Sequence, residues 1–68
     1  MEKLNNKLLQ EIVDDSNHKD IESVREFIAN GDIEIYENKE EYKNDGNSLE
    51  FKDYYTILSN GYIAHYVE

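Results

Sequence analysis

Asp14, Asp15 and His18 place three metal-ligating side chains within five residues. Carboxylate oxygens and an imidazole nitrogen together could hold a divalent ion. The run Asp14-Asp15-Ser16-Asn17 also interrupts two apolar stripes, where cap and turn chemistry uses the same residue types. That role accounts for them, and no metal or cofactor is expected. Asp45-Gly46-Asn47 offers a second fragment of a cation loop. With Gly46 at the sixth position of an EF-hand loop, Lys43 and Lys52 would occupy the third and twelfth positions, so two ligands are missing. His65 could serve as a general base, with Thr56 and Tyr54 close to it on a paired strand. A general base also needs an orienting partner and a pocket, and a chain of 68 residues has little room for both a core and a cleft. Ser16, Ser23, Ser48 and Ser59 fall in caps, turns or on a helix, not at a strand-to-helix elbow. No catalytic residue is expected, and the chain is read as a binding protein, not an enzyme.

Charge is the stronger signal. Sixteen acidic residues against seven basic ones give a net charge of −9. Residues 32–68 hold nine of the acids and three of the bases, so the excess lies in the second half. Such a surface repels nucleic acid and anionic lipid and attracts basic protein surfaces. There is no cysteine, which excludes disulfides and thiolate metal sites. The opening residues are polar and no long apolar run follows, so neither a signal peptide nor a membrane span is expected, and the cytoplasm is the expected location.

The elements that would carry these charges begin at the end of the chain. Asn60-Gly61, between runs rich in β-branched and aromatic residues, predicts a two-residue type I′ hairpin turn. That turn pairs Leu58 with Ile63, Ile57 with Ala64, Thr56 with His65 and Tyr55 with Tyr66. Alternation then puts Leu49, Phe51, Tyr55, Ile57, Tyr62, Ala64 and Tyr66 on a core face. Glu50, Lys52, Tyr54, Thr56, Leu58, Ile63, His65 and Val67 fall on an outer face. Leu4, Leu8, Leu9, Ile12 and Val13 recur at helical spacing and predict a helix from about Lys3 to Asp14. Ser16 or Asn17 would cap a second helix, with Asp20 in its first turn, whose stripe is Ile21, Val24, Phe27 and Ile28 and which ends at Asn30-Gly31. Asp32-Ile33-Glu34-Ile35-Tyr36-Glu37 alternates as a strand with its isoleucines inward. Asn38 to Asn47 reads as a polar, acidic connection. The expected fold is a single α+β domain over residues 1–68, ordered ααβββ: two antiparallel helices on one face of a three-stranded antiparallel meander.

His18 to Asp32 resembles the second half of an ankyrin repeat. Nothing in the chain repeats it, and solenoid units need neighbours, so the segment is taken as an amphipathic helix with a glycine cap.

This arrangement leaves Tyr36, Tyr54, Leu58, Ile63, His65 and Val67 on an uncovered sheet face, rimmed by Glu34, Glu37, Glu50 and Asp53. Aromatics at the centre with charge at the rim is an interface composition. Asp32, Glu34 and the run from Glu37 through Glu40 and Glu41, with Asp45 nearby, add an acidic ridge. Alternate strand residues lie about 6.7 Å apart, a spacing on the scale of nucleic-acid charge, about one per 3.4 Å along each strand. The ridge could therefore occupy a basic nucleic-acid channel. In size, acidity and lack of cysteine the chain resembles the anti-restriction and anti-CRISPR inhibitors of phages and mobile elements. The resemblance implies a small inhibitor that blocks a nucleic-acid-processing enzyme by acidic mimicry, without itself touching nucleic acid. The alternative is an antitoxin- or immunity-type module, or a homodimeric accessory protein, that binds through the aromatic face.

Overall fold

The computed structural model describes residues 4–67. Three α-helices, a short 3₁₀ turn and a three-stranded antiparallel sheet make up an α+β fold. Helix α1 spans Asn6–Ser16, capped by Asn5, whose side chain accepts from the Leu8 N–H at 2.9 Å. The expected start at Lys3 lies outside the described residues. Asn17 ends α1 in the left-handed conformation, φ 63°, one of the few conformations in which asparagine replaces glycine at low cost. Helix α2, Ile21–Ala29, is capped by Asp20, which accepts from the Ser23 N–H. Ser16 and Asn17 therefore belong to the end of α1, and Asp20 is the cap itself, not a first-turn acid. The α2 terminus closes as a Schellman motif: Asp32 N–H donates to Phe27 O and Gly31 N–H to Ile28 O, with Gly31 at φ 86°. Arg25 reaches Asn6 at the start of α1 (3.1 Å), as an antiparallel pair requires.

Strands β1 (Ile33–Tyr36), β2 (Tyr55–Ile57) and β3 (Ile63–Tyr66) lie in the order β1-β3-β2, so β3 is central. The expected meander is thus corrected: the chain leaves β1, crosses to the far edge, and returns through the hairpin into the middle. β3 carries Ile63 and Ala64, both fully buried, and gains from two strand neighbours. On the helix side of the sheet, Ile33, Leu58 and Ala64 join Leu8, Leu9, Ile12, Val13 and Val24 in the main core. Phe27, placed on the α2 stripe by its spacing, is 40% exposed and rests edge-on against His18 instead. No described helix is long and apolar enough to cross a membrane.

The hairpin register differs from the expected one by a single residue. Tyr55 pairs with His65, Thr56 with Ala64 and Ile57 with Ile63. A type I′ turn needs positive φ at both central residues, whereas here Gly61 alone has it, at 94°. Leu58 O accepts from Gly61 N–H (2.9 Å) and Leu58 N–H donates to Tyr62 O (2.7 Å), which makes Ser59-Asn60-Gly61 a three-residue loop with glycine at the bulge. That one residue turns β2 over. Tyr55 and Ile57 move off the helix side, and Leu58 moves into the core at 3% exposure. Gly61→Ala should cost about 1–2 kcal/mol, because nothing lies within 4 Å of an added Cβ and the penalty is purely backbone. Urea denaturation should show a lower midpoint at unchanged slope, with Gly61→Asn recovering part of the loss.

The second correction concerns residues 38–47. They contain helix α3, Lys39–Asn44, rather than an irregular loop. Asn38 caps it by accepting from the Glu41 N–H at 2.8 Å. Glu41 in turn accepts from the Glu37 N–H (3.4 Å), a near relative of the capping box. Glu40 and Glu41 in the first turn and Lys43 in the last complement the helix dipole. Six residues are too few for an isolated helix, and Tyr42 supplies the tertiary anchor.

Candidate functional site

Tyr42 is buried to 1% exposure on the sheet face opposite α1 and α2. Its ring meets Tyr36 and Tyr55 at 5.3 Å and His65 at 5.4 Å between centroids. Its hydroxyl lies 3.1 Å from His65 Nδ1. The face expected to be uncovered is therefore sealed by a small aromatic core. Ile63 is fully buried, and Leu58 belongs to the main core. Neither can contribute to a partner surface, and His65 is half-buried beneath α3 with its Nδ1 engaged. Thr56 does not lie beside His65: it pairs with Ala64 and sits on the opposite face.

Two of the candidate carboxylates, Glu34 and Asp45, meet at Tyr36, at the corner where α3 comes against β1. The Tyr36 hydroxyl lies 2.6 Å from Asp45 Oδ2 and 3.1 Å from Glu34 Oε1, and Asn47 Nδ2 donates to it at 3.3 Å. A phenol has one proton to give, so two carboxylates share a single donor. The shorter contact is with Asp45, which leaves Glu34 with the weaker claim on the proton. Burial, and then the hydrogen bond to Asp45, push the Tyr36 hydroxyl well above its ordinary pKa. Glu37 and Glu41 adjoin the pair through the cap described above, and Glu40 is exposed on the same helix. Glu40 and Glu41 are thus presented from the first turn of a helix and Glu37 from the bend before its cap, interleaved with Lys39 and Lys43. They do not form the strand ridge of alternate carboxylates that the sequence suggested, because the helix replaces the extended backbone that spacing requires.

Glu50 and Asp53 lie apart from this corner, in the segment leading to β2, and both are exposed. Beside them Phe51 and Tyr54 are 57% and 42% exposed with ring centroids 6.3 Å apart, and Ile57 on β2 is 47% exposed. Phe51 and Ile57 were assigned to the core by the expected register. Their exposure follows from the shifted hairpin and from a 3₁₀ turn at Lys52–Tyr54 in place of continuous strand. A cavity of about 200 Å³ opens between this pair, Tyr42 and His65.

The Asp14, Asp15 and His18 cluster is divided among separate tasks. Asp15 accepts from the Tyr66 hydroxyl at 2.8 Å, His18 Nδ1 lies 3.0 Å from Ser23 Oγ, and Asp14 accepts from Gln10. Burial, and then the hydrogen bond to Asp15, raise the Tyr66 hydroxyl; burial raises that of Tyr42. A group whose pKa is higher in the folded state adds stability that is complete below its unfolded value, near 10, and fades as pH rises through the folded value. Three of the six tyrosines should therefore resist ionisation until the chain opens. Tyrosinate absorbance and far-UV circular dichroism, followed together above pH 10, should show the late-titrating fraction coinciding with unfolding. Smooth titration of all six before any loss of structure would contradict these contacts.

Tyr42 is the residue that sequence reasoning missed. Asn38 three positions ahead of Glu41 was a cap signal, and Tyr42 is the one apolar side chain between Asn38 and Asn47. Comparison with protein-family models, with curated proteins and with solved structures gives no match to this chain, so its function is argued from its own residues.

Proposed function

We propose that the protein is a small acidic binding module that occupies a basic surface on a cytoplasmic partner, of the kind a nucleic-acid-processing enzyme presents to its substrate, and thereby inhibits that enzyme. The observation that carries this reading is the Glu34–Tyr36–Asp45 cluster. Two carboxylates compete for one hydroxyl proton at an exposed corner, with Glu37 and Glu41 beside them. Folding brings like charges together there and leaves them undersupplied with donors. A lysine or arginine from outside would relieve that repulsion on docking, which gives a basic surface a gain that a neutral one lacks. The role is one of occupancy, not catalysis. Mimicry predicts that the partner's own nucleic acid and this protein exclude each other. Titrating nucleic acid into the purified complex should release the protein in proportion, and the complex should weaken steeply between low and physiological salt. A ternary complex that holds all three components would sink the mimicry.

A second reading has its own observation. Phe51 and Tyr54 form an exposed aromatic pair next to edge strand β2, which would suit a homodimer or an apolar partner site of the antitoxin or immunity type. On that reading light scattering gives twice the monomer mass, and Tyr54→Glu restores the monomer.

A further inference from the structure

We propose that the partner enters as an added β-strand: an extended segment alternating basic and apolar residues pairs antiparallel with the free edge of β1. This rests on the acidic-docking reading above and specifies the chemistry of the partner.

β1 lies at an edge of the sheet, with β3 on one side only. The hydrogen bond from Val67 N–H to Asp32 O (2.9 Å), with the register Ile33↔Tyr66 to Tyr36↔Ile63, fixes which backbone groups point where. Antiparallel ladders alternate, so Asp32 turns its carbonyl, and Glu34 and Tyr36 their amides and carbonyls, toward β3. Ile33 and Ile35 turn theirs outward, which presents two N–H and two C=O groups at the edge. Edges of this kind are templates for another strand unless they are blocked, and β1 carries neither proline nor lysine.

The two sides of that edge differ in chemistry. A groove of about 450 Å³ runs along β1, with Leu4, Ile28, Gly31 and Ile35 on the helix side and Glu34 and Tyr36 also in its lining. On the α3 side stand Glu34 and Tyr36, with Asp45 bound to the tyrosine hydroxyl. Directly opposed residues share a face. Apolar residues of an added strand would thus oppose Ile33 and Ile35 and fill the groove, while its alternate residues would face the carboxylates. Strand addition takes affinity from the main-chain bonds and specificity from the alternate side chains. Lysine or arginine fits the second set of positions.

A second copy of this chain fits poorly. Antiparallel self-pairing centred on Glu34 sets it against its own copy, centring on Ile33 sets Glu34 against Asp32 of the copy, and centring on Ile35 sets the charged Glu37 against Ile33. Like charges directly opposite are destabilising. Charge complementarity selects a basic segment instead.

The test uses the intact ¹⁵N-labelled protein and short synthetic peptides of alternating lysine and valine. The plain peptide should shift the amide signals of β1 and protect the Ile33 and Ile35 amides from hydrogen exchange. N-methylation at the valine nitrogens removes the donors facing β1 and should weaken binding at least about tenfold. N-methylation at the lysine nitrogens, which face away, should leave binding nearly unchanged. If all three peptides bind equally and Ile33 and Ile35 gain no protection, strand addition is wrong while acidic docking survives. If no peptide perturbs β1, Glu34 or Asp45, both readings fall. Protection of Tyr55 and Ile57 instead would move the site to the β2 edge, and protection of Ile33 and Ile35 in a dimer without peptide would assign the edge to a second copy; either result overturns the proposal.

Discussion

Tyr42→Ala is expected to abolish cooperative folding, or to leave a protein stable only in the cold. Removing a large buried aromatic costs about 3–5 kcal/mol. A chain of 68 residues has in total about 3–10 kcal/mol. The loss is amplified locally because α3, six residues long, has no other buried side chain. Without the ring, Tyr36, Tyr55 and His65 lose a shared neighbour, and the half of the sheet that holds Ile63 opens to water. Tyr42→Phe isolates the hydroxyl, which meets His65 Nδ1 at 3.1 Å. It should cost about 1 kcal/mol. Urea denaturation of both variants, with limited proteolysis between residues 37 and 54, checks the pair. A Tyr42→Ala protein with an unchanged midpoint would mean that α3 does not seal this face.

The second large effect concerns binding rather than folding. Glu34→Lys together with Asp45→Lys should weaken partner binding by more than a hundred-fold, about 3 kcal/mol. The reversal does more than remove attraction. It places two positive charges against a basic surface, and like-charge contacts across an interface cost several kcal/mol. The fold should be retained with a modest loss of stability, since both side chains are exposed but the Tyr36 hydroxyl loses both of its carboxylate acceptors. The matched control is Glu22→Lys with Glu26→Lys. It makes the same net change on α2, and both positions are exposed there. If attraction were only a matter of net charge, both double variants would bind equally badly. If the corner is the site, only the first fails. The Tyr36→Phe protein keeps both carboxylates but loses the hydroxyl that tethers them, and it should bind with reduced affinity through a less ordered pair.

How much of this was legible in the sequence varies by element. The stripe of α1 was readable because four buried residues recur at helical spacing, that of α2 because buried Val24 and partly buried Ile21 and Ile28 do, and Gly31 marked the end of α2. Ile33 and Ile35 declared β1 in the same way. The failures came where one residue decided the outcome. Asn60-Gly61 is compatible with a two-residue or a three-residue loop, and the difference lies only in whether Asn60 adopts positive φ. The three-residue form moved Leu58 inward and Ile57 outward, so the outer face drawn from the sequence was wrong on β2 and right in parity on β3. Helix α3 offered a single apolar residue, Tyr42, too little to establish a period. Its cap at Asn38 was the only local cue, and the value of that cue depends on a sheet face whose exposure was misread. Strand order was out of reach for the same reason, because Asn38 to Asn47 looked like a polar connection and the residues after it like the start of a strand until helix α3 was seen to cover the sheet. Glu34, Tyr36 and Asp45 were already candidates, although the tyrosine hydroxyl that links the two carboxylates could not be inferred from spacing.

The acidic corner and the Phe51–Tyr54 pair lie on different elements, so one measurement separates them. Amide chemical shifts of the ¹⁵N-labelled protein, recorded free and bound to its purified partner, map the contact directly. The largest changes are expected at Glu34, Tyr36, Glu37, Glu41 and Asp45, with Phe51, Tyr54 and Ile57 unmoved. Changes confined to Phe51, Tyr54 and Ile57, with the acidic corner silent, would contradict acidic docking.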